Sequence, residues 1–481
     1  MSHKIIIGAA ERKLITQLSQ RSNRHGIIAG ATGTGKTVTL QVLAEGFSKL
    51  GVPVFAADIK GDLSGLGKKG KPHEKIDERL ASIPIKDFQF NANPIVFWDL
   101  FGKSGHPIRT TISEIGPLLL GNLLELNDTQ TGILYACFQI ADDEGLLLLD
   151  LKDLRSMLSW MSKNSAELSA DYGNISKSSV AAIQRRLMVL QQQGGKNFFG
   201  EPALELNDLI KTDKNGHGVI NLLDATKLSS ESPKLYTTFL LWLLSELYEE
   251  LPEVGDPDKP KLVFFFDEAH LLFKRAPDSL LDKIEQVVRL IRSKGVGIYF
   301  ITQSPTDIPE NVLGQLGLRI QHALRAFTPK DKKTVKAVAN NFRPNKSFST
   351  LEVITNLGIG EALVSTLNEK GSPTIVEKTL ISPPESQIGP LNDVERKSIL
   401  ENSPISDTYN TTLDRKSAHE VLSARADKAL SKDKNAKTKS NSKRKSNRQG
   451  VGETFLKSIA RTVGSQLGRR VLRGILGSIL K

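Results

Sequence analysis

The 481-residue sequence has one cysteine, Cys137. An internal disulfide is excluded, and a reducing compartment suits the chain. Long apolar runs are missing as well. The longest in the body is FLLWLL, starting at Phe239, far short of the ~20 residues that a membrane span needs. Met1 to Gly8 is short and soon followed by charges, so it does not read as a signal peptide, and a cytoplasmic location is expected. Metal-site strings are absent: there is no H-E-x-x-H and no C-x-x-C. His25 and His270 lack a second ligand at a fitting spacing and read as structural. No N-K-x-D string for guanine and no internal repeat occur.

The net charge is +12, yet most of the chain carries almost none of it. Residues 425–481 hold 16 Lys/Arg against 3 Asp/Glu, and residues 1–424 hold 49 against 50. The basic character belongs to the tail. The body does not advertise a large nucleic-acid face by charge count.

What is present begins with IIAGATGTGKT, Ile27 to Thr37. The run Gly30, Ala31, Thr32, Gly33, Thr34, Gly35, Lys36, Thr37 fits G-x-x-x-x-G-K-[ST]. Glycines let successive backbone N–H groups point inward at a phosphate chain. Lys36 would reach the β- and γ-phosphates of a nucleotide, and the Thr37 hydroxyl would ligate Mg²⁺. A short buried strand is expected over His25 to Ala29 and a helix over Val38 to Leu50. Its amino terminus would add partial positive charge under the phosphates. ATP and Mg²⁺ are the expected cofactors.

A second motif is KLVFFFDEAH. Leu262 to Phe266 are five apolar residues, as in a strand buried on both faces. Asp267 and Glu268 would then sit at its carboxyl end, where open α/β sheets bind ligands. Asp267 would hold Mg²⁺ through water, and Glu268 would polarise the attacking water. Two adjacent carboxylates at a buried strand tip are costly unless a cation or water uses them. A third strand, GIYFITQSP, ends in Gln303, which could sense the γ-phosphate or position the water. Asp58, at the end of VPVFAAD, could serve the metal or cap the following turn. Phosphoryl transfer builds negative charge that a guanidinium can stabilise, often from a neighbouring subunit. Arg24, Arg319 and Arg325 are the candidates.

Alternating strands and helices argue an α/β fold with a mainly parallel sheet. The first part of the core spans 1–112. A helical insertion is expected over 113–215, where helical spacing is not interrupted by strand-like alternation. Strands return over 216–385, the last pair expected at LRIQHALRAF and EALVSTL. Residues 386–450 read as a polar, basic linker that cannot form a core. Residues 451–481 read as an amphipathic helix. Its glycines cost ~1 kcal/mol each against alanine, which close packing on a neighbouring subunit, or attachment to an acidic or membrane surface, would offset.

Together IIAGATGTGKT, ADIKGDLSGL, FFFDEAHLLF and YFITQSPTDIP resemble the HerA/FtsK superfamily of P-loop motor ATPases, and within it the bacterial HerA-like branch of the YjgR type. The resemblance implies a RecA-like core, a ring of six subunits and ATP-driven movement on double-stranded DNA, as a translocase or helicase. It gives Lys36 and Thr37 the Walker A role, Asp267 and Glu268 the Walker B role, and Gln303 the sensor role. Arg24 matches an Arg-His pair that precedes the phosphate loop in HerA-type proteins, which implies a finger acting in trans. HerA proper carries a β-barrel ahead of the motor. Here the loop begins only 30 residues in, so the barrel is expected to be missing, and a motor acting on protein is the alternative. One phosphate loop per chain also argues that another copy supplies the facing surface, as in a head-to-tail ring.

Overall fold

The computed structural model describes residues 3–274 and 278–439. The amphipathic helix expected over 451–481 lies outside them. The chain divides into two units, residues 1–108 with 204–410, and residues 109–203 with 411 onward.

The first unit is built on one sheet. Its strands are β1 Lys4–Ala10, β2 Lys13–Leu18, β3 Gly26–Ala29, β4 Val54–Asp58, β5 Ile95–Asp99, β6 His106–Pro107, β7 Ile220–Asp224, β8 Leu262–Phe266, β9 Val296–Thr302, β10 Leu318–Gln321, β11 Glu361–Ser365 and β12 Glu377–Ile381. The order is β2-β1-β12-β11-β10-β3-β9-β8-β4-β7-β5-β6. From β10 to β6 every neighbouring pair is parallel. The four strands on the other side of β10 are antiparallel additions. This mainly parallel α/β sheet is the architecture expected from the alternating pattern.

Burial on both faces explains the apolar strands. Every residue of β3, β4, β8 and β9 is buried. The loop after β3 leads into helix α1, Lys36–Lys49, whose Leu40, Leu43 and Phe47 join Ile28, Val54, Phe265 and Ile301 in one core. The strand order sets β9 between β3 and β8, and β4 on the far side of β8. The carboxyl ends of these four strands therefore line one edge.

Three features differ from the sequence reading. The β1–β2 hairpin and β12 extend the sheet at one side. The strand expected over LRIQHALRAF stops at Gln321, because His322 turns inward to bond Glu361 O and Thr39 Oγ1. The span 386–450, read as a linker, contains helices Asp393–Glu401, Ser406–Tyr409 and Ala418–Lys439. Asn392 and Glu395 form a capping box on the first, and buried Ala418 and Leu422 anchor the last.

The second unit is helical: Ile112–Leu123, Asp128–Asp143, Leu151–Lys163, Ser165–Tyr172 and Lys177–Leu190, joined by Ala418–Lys439. Asp153 accepts from Ser417 Oγ and His419 N and so seats that returning helix. Residues 204–215, placed on sequence with the helices, belong to the sheet unit. There Leu209 is fully buried and its carbonyl accepts from Asn221 of β7.

His25 illustrates how the sheet's amino edge is fixed. It is buried at a left-handed φ of 56°. Its Nδ1 accepts from Ile298 N at 3.0 Å, which leaves Nε2–H to donate to Val288 O at 2.8 Å. Burial pushes its pKa down to about 4. The unfolded chain takes up a proton near 6.5 and the folded one does not. Its contribution is thus complete above pH 6.5 and is lost as pH falls toward 4. The stability gap between wild type and His25→Asn should narrow by up to ~3 kcal/mol between pH 7 and pH 4.5. Denaturant titrations of the pair at both pH values measure it.

Candidate active site

The loop between β3 and α1 is shaped by its glycines. Gly30, Gly33 and Gly35 have φ of 156°, 77° and 110°. A Cβ at Gly30 would meet His322 Cβ at 2.5 Å, and one at Gly35 would meet Gly360 N at 3.2 Å. The loop is tied down at its edges. Gly30 N and Ala31 N donate to Thr302 O and Ala323 O, and Gly360 N donates to Thr34 O. The first N–H groups of α1, from Lys36 to Val38, have no partner inside the helix and favour an anion. Lys36 is buried, and its Nζ donates to Gly30 O at 2.6 Å and Ala31 O at 3.0 Å. Burial, and then the charge of Lys60, lower its pKa, while Glu268 and Asp267 oppose the shift.

The carboxylates stand at the tip of β8. Glu268 has a left-handed φ of 47°, a backbone setting costly for a side-chain-bearing residue and frequent at functional sites. Its N–H donates to Asp267 Oδ1. Lys60 Nζ lies 2.9 Å from Glu268 Oε1 and 3.6 Å from Asp267 Oδ2. On the other carboxylate oxygen, Gln303 Nε2 donates from 3.4 Å and His270 Nδ1 lies 3.3 Å away. Burial raises the Asp267 pKa, with Lys60 opposing. For Glu268 burial also pushes upward, but Lys60, joined by His270 and Gln303, outweighs it and the carboxyl stays below its ordinary value.

Asp58 caps the turn that follows it, one of the two roles left open by the sequence. Its Oδ1 accepts from Gly61 N at 2.7 Å and Asp62 N at 3.3 Å, and Oδ2 accepts from Leu63 N at 3.0 Å. Both carboxylate oxygens are thus engaged by the turn. Burial pushes its pKa up to about 6. The carboxylate that meets Thr37 is Asp62, whose Oδ2 accepts from Thr37 Oγ1 at 3.3 Å.

The arginines separate. Arg24 lies before β3, at the amino edge of the sheet. With Arg21 and Arg292 it converges on Asp256, at 3.2, 3.4 and 3.1 Å. Arg319 stands beside Ile27 in the β10–β3 register and donates to Asn341 O and Leu316 O. Arg325 is exposed beyond the carboxyl end of β10. Lys36, Thr37, Asp267, Glu268 and Gln303 are thus gathered at one edge, and Arg24 lies at the opposite end of β3.

Sequence reasoning missed Lys60, Asp62, Arg21 and Arg292. Lys60 and Asp62 lie inside ADIKGDLSGL, and their charge was the available signal. Only the strand order, which sets β4 beside β8, brings Lys60 to the carboxylates.

The residues fit a nucleoside triphosphate with Mg²⁺. The glycine cradle excludes side chains, and buried Asp62 Oδ1 has no hydrogen-bond partner while its other oxygen holds Thr37. Among the described residues no group of three or more His, Cys, Asp or Glu forms a metal cage. That suits Mg²⁺, which takes few protein ligands and completes its shell with phosphate and water.

The family model described as Helicase HerA-like C-terminal matches residues 3–481. The DNA double-strand break repair helicase HerA of Sulfolobus acidocaldarius is 22% identical over 375 residues, covering 74% of this chain and 64% of that protein. The HerA helicase of Saccharolobus solfataricus is 24% identical over 349 residues, covering 71% and 61%. The matches therefore span less than two thirds of either relative. Among solved structures, VirB4 of Thermoanaerobacter pseudethanolicus superposes with a TM-score of 0.51 at 15% identity, covering 79% of this chain and 97% of that one. That likeness shows a shared fold.

Proposed function

Because the chain belongs to the Helicase HerA-like C-terminal family of P-loop ATPases, we propose that it is an ATP-hydrolysing ring motor that moves on double-stranded DNA. The observation that carries the reading is the single edge that gathers Lys36, Thr37, Asp267, Glu268 and Gln303. Bound Mg²⁺ would neutralise charge on the phosphates. Thr37, Asp62 and Asp267 are the residues to hold it. Lys36 and the amino terminus of α1 bind the phosphate chain. Glu268 orients and polarises the attacking water, and Gln303 steadies Glu268 through Oε2.

A ring is supported by the arginines. Arg21, Arg24 and Arg292 share one carboxylate, Asp256, at the end of β3 opposite to the chain's own phosphate loop. That surplus of positive charge suits phosphates held by a neighbouring copy. A hexamer is the proposed assembly. The basic tail, residues 425–481, would add attraction for DNA or another acidic surface, with membrane attachment of the final helix as a further reading. Among the described residues no helix is long and apolar enough to cross a membrane. A motor acting on protein is the second reading, favoured by the near-neutral charge of residues 1–424.

ATP hydrolysis measured with double-stranded DNA, RNA or no polymer tests the choice. Double-stranded DNA should raise the rate several-fold, and log affinity should fall linearly with log salt. A rate indifferent to DNA at every salt concentration would remove the DNA reading and leave the protein-directed one.

A further inference from the structure

We infer that Lys60 is a positioning residue for Glu268. Its ammonium fixes that carboxylate for water activation and compensates the adjacent Asp267. The inference rests on the ATPase reading above.

The turn that carries Lys60 is itself held. Asp58 accepts from the N–H groups of Gly61, Asp62 and Leu63, so the backbone on either side of Lys60 is pinned to the tip of β4. The sheet sets β4 against β8, with Ala57 opposite Phe266. Lys60 thereby starts one short turn past β4 and reaches Glu268 Oε1 at 2.9 Å and Asp267 Oδ2 at 3.6 Å. Two residues further on, Asp62 holds Thr37 Oγ1. One turn therefore touches the phosphate-loop threonine at one end and the catalytic carboxylate at the other.

Glu268 needs such support. Its backbone is held at a left-handed φ of 47°. Its carboxylate is gripped on one oxygen by Lys60 and approached on the other by Gln303 and His270. Gln303 is a longer, neutral contact, and the Lys60 contact is charge-assisted, which roughly doubles the strength of a hydrogen bond. Lys36 does not substitute for it, since its Nζ is engaged by Gly30 O and Ala31 O. Without Lys60, two neighbouring carboxylates would repel one another at a buried strand tip, and Glu268 would sample rotamers that miss the water. A carboxylate has about four lone-pair sites, so the ion pair leaves room for a water to donate to Glu268.

The test is Lys60→Met, which keeps the chain length and removes the charge. Turnover should fall about 10- to 100-fold at saturating ATP, the range over which loss of positioning acts, with KM changed less than about threefold. Lys60→Arg should recover most of kcat, because the position is partly exposed (38%) and accepts a guanidinium. Added to Glu268→Gln, Lys60→Met should cost little more, as expected of residues acting as a unit. Equilibrium binding of Mg-ATP in the Glu268→Gln background should be unchanged by Lys60→Met. Lys60→Gln, with thermal midpoints, serves if the methionine protein does not fold. Wild-type turnover in both neutral variants would overturn the inference. So would a tenfold loss of Mg-ATP binding with kcat preserved, since Lys60 would then act on phosphate rather than through Glu268. A wild-type protein without any ATP hydrolysis would instead sink the ATPase reading on which the inference rests.

Discussion

A Glu268→Gln protein is expected to bind ATP as tightly as wild type and to hydrolyse it about 10²- to 10⁴-fold more slowly. The amide oxygen can still accept from Lys60, and a flipped Gln303 amide can accept from the new NH2 group, so the strand tip keeps its shape. What it loses is the charge that polarises water. The neighbouring contacts locate the effect: both carboxylate oxygens of Glu268 face donors at 2.9 to 3.4 Å. Initial-rate assays and equilibrium ATP binding on one preparation check the outcome. The same variant probes the ring. Glu268→Gln and Arg24→Ala subunits, each inactive alone, should regain part of the activity when mixed, at interfaces that keep both residues. No recovery across mixing ratios would mean that Arg24 serves its own subunit or only the salt bridge to Asp256.

Why the candidate site was legible is physical. The phosphate loop needs glycines at left-handed φ and a lysine at a fixed offset, and Gly30, Gly33, Gly35 and Lys36 meet that need within seven residues. A strand buried on both faces must be apolar throughout, so Leu262–Phe266 announces itself, and the two acids after it stand at a buried tip, where carboxylates are costly unless a cation or water uses them. What was not legible depends on sheet order. Nothing local to Lys60 says that β4 lies beside β8, and Asp58 could be assigned to metal or turn only by seeing which N–H groups surround it. The β1–β2 hairpin was missed because its Lys4, Lys13 and Gln17 mask a short apolar alternation. The helix from Ala418 was missed because, among its residues up to Ser431, Ala418 and Leu422 alone are buried and most of the rest are polar.

The other large effect belongs to Lys36. Lys36→Ala is expected to lower ATP turnover by about 10²- to 10³-fold, the scale of removing one preorganised charge donor, and to weaken nucleotide binding as well. The two losses have one cause. Lys36 is 6% exposed and its ammonium is held by two loop carbonyls, and burial has already made its charged form less comfortable than in water. Phosphate oxygens offer it far better partners than neutral carbonyls do. Without it the phosphates are left to backbone N–H groups and the roughly half charge at the amino terminus of α1. The loop itself should survive the change. Gly30 N–Thr302 O, Ala31 N–Ala323 O, Gly360 N–Thr34 O and Thr34 Oγ1–Ala31 O hold it without Lys36, so a thermal midpoint within a few degrees of wild type is expected. Lys36→Arg should not rescue turnover, since a guanidinium has no room at so buried a position. That separates it from Lys60, where arginine is accommodated. A Lys36→Ala protein with wild-type kcat and ATP affinity would mean that the phosphate chain is bound somewhere other than this loop.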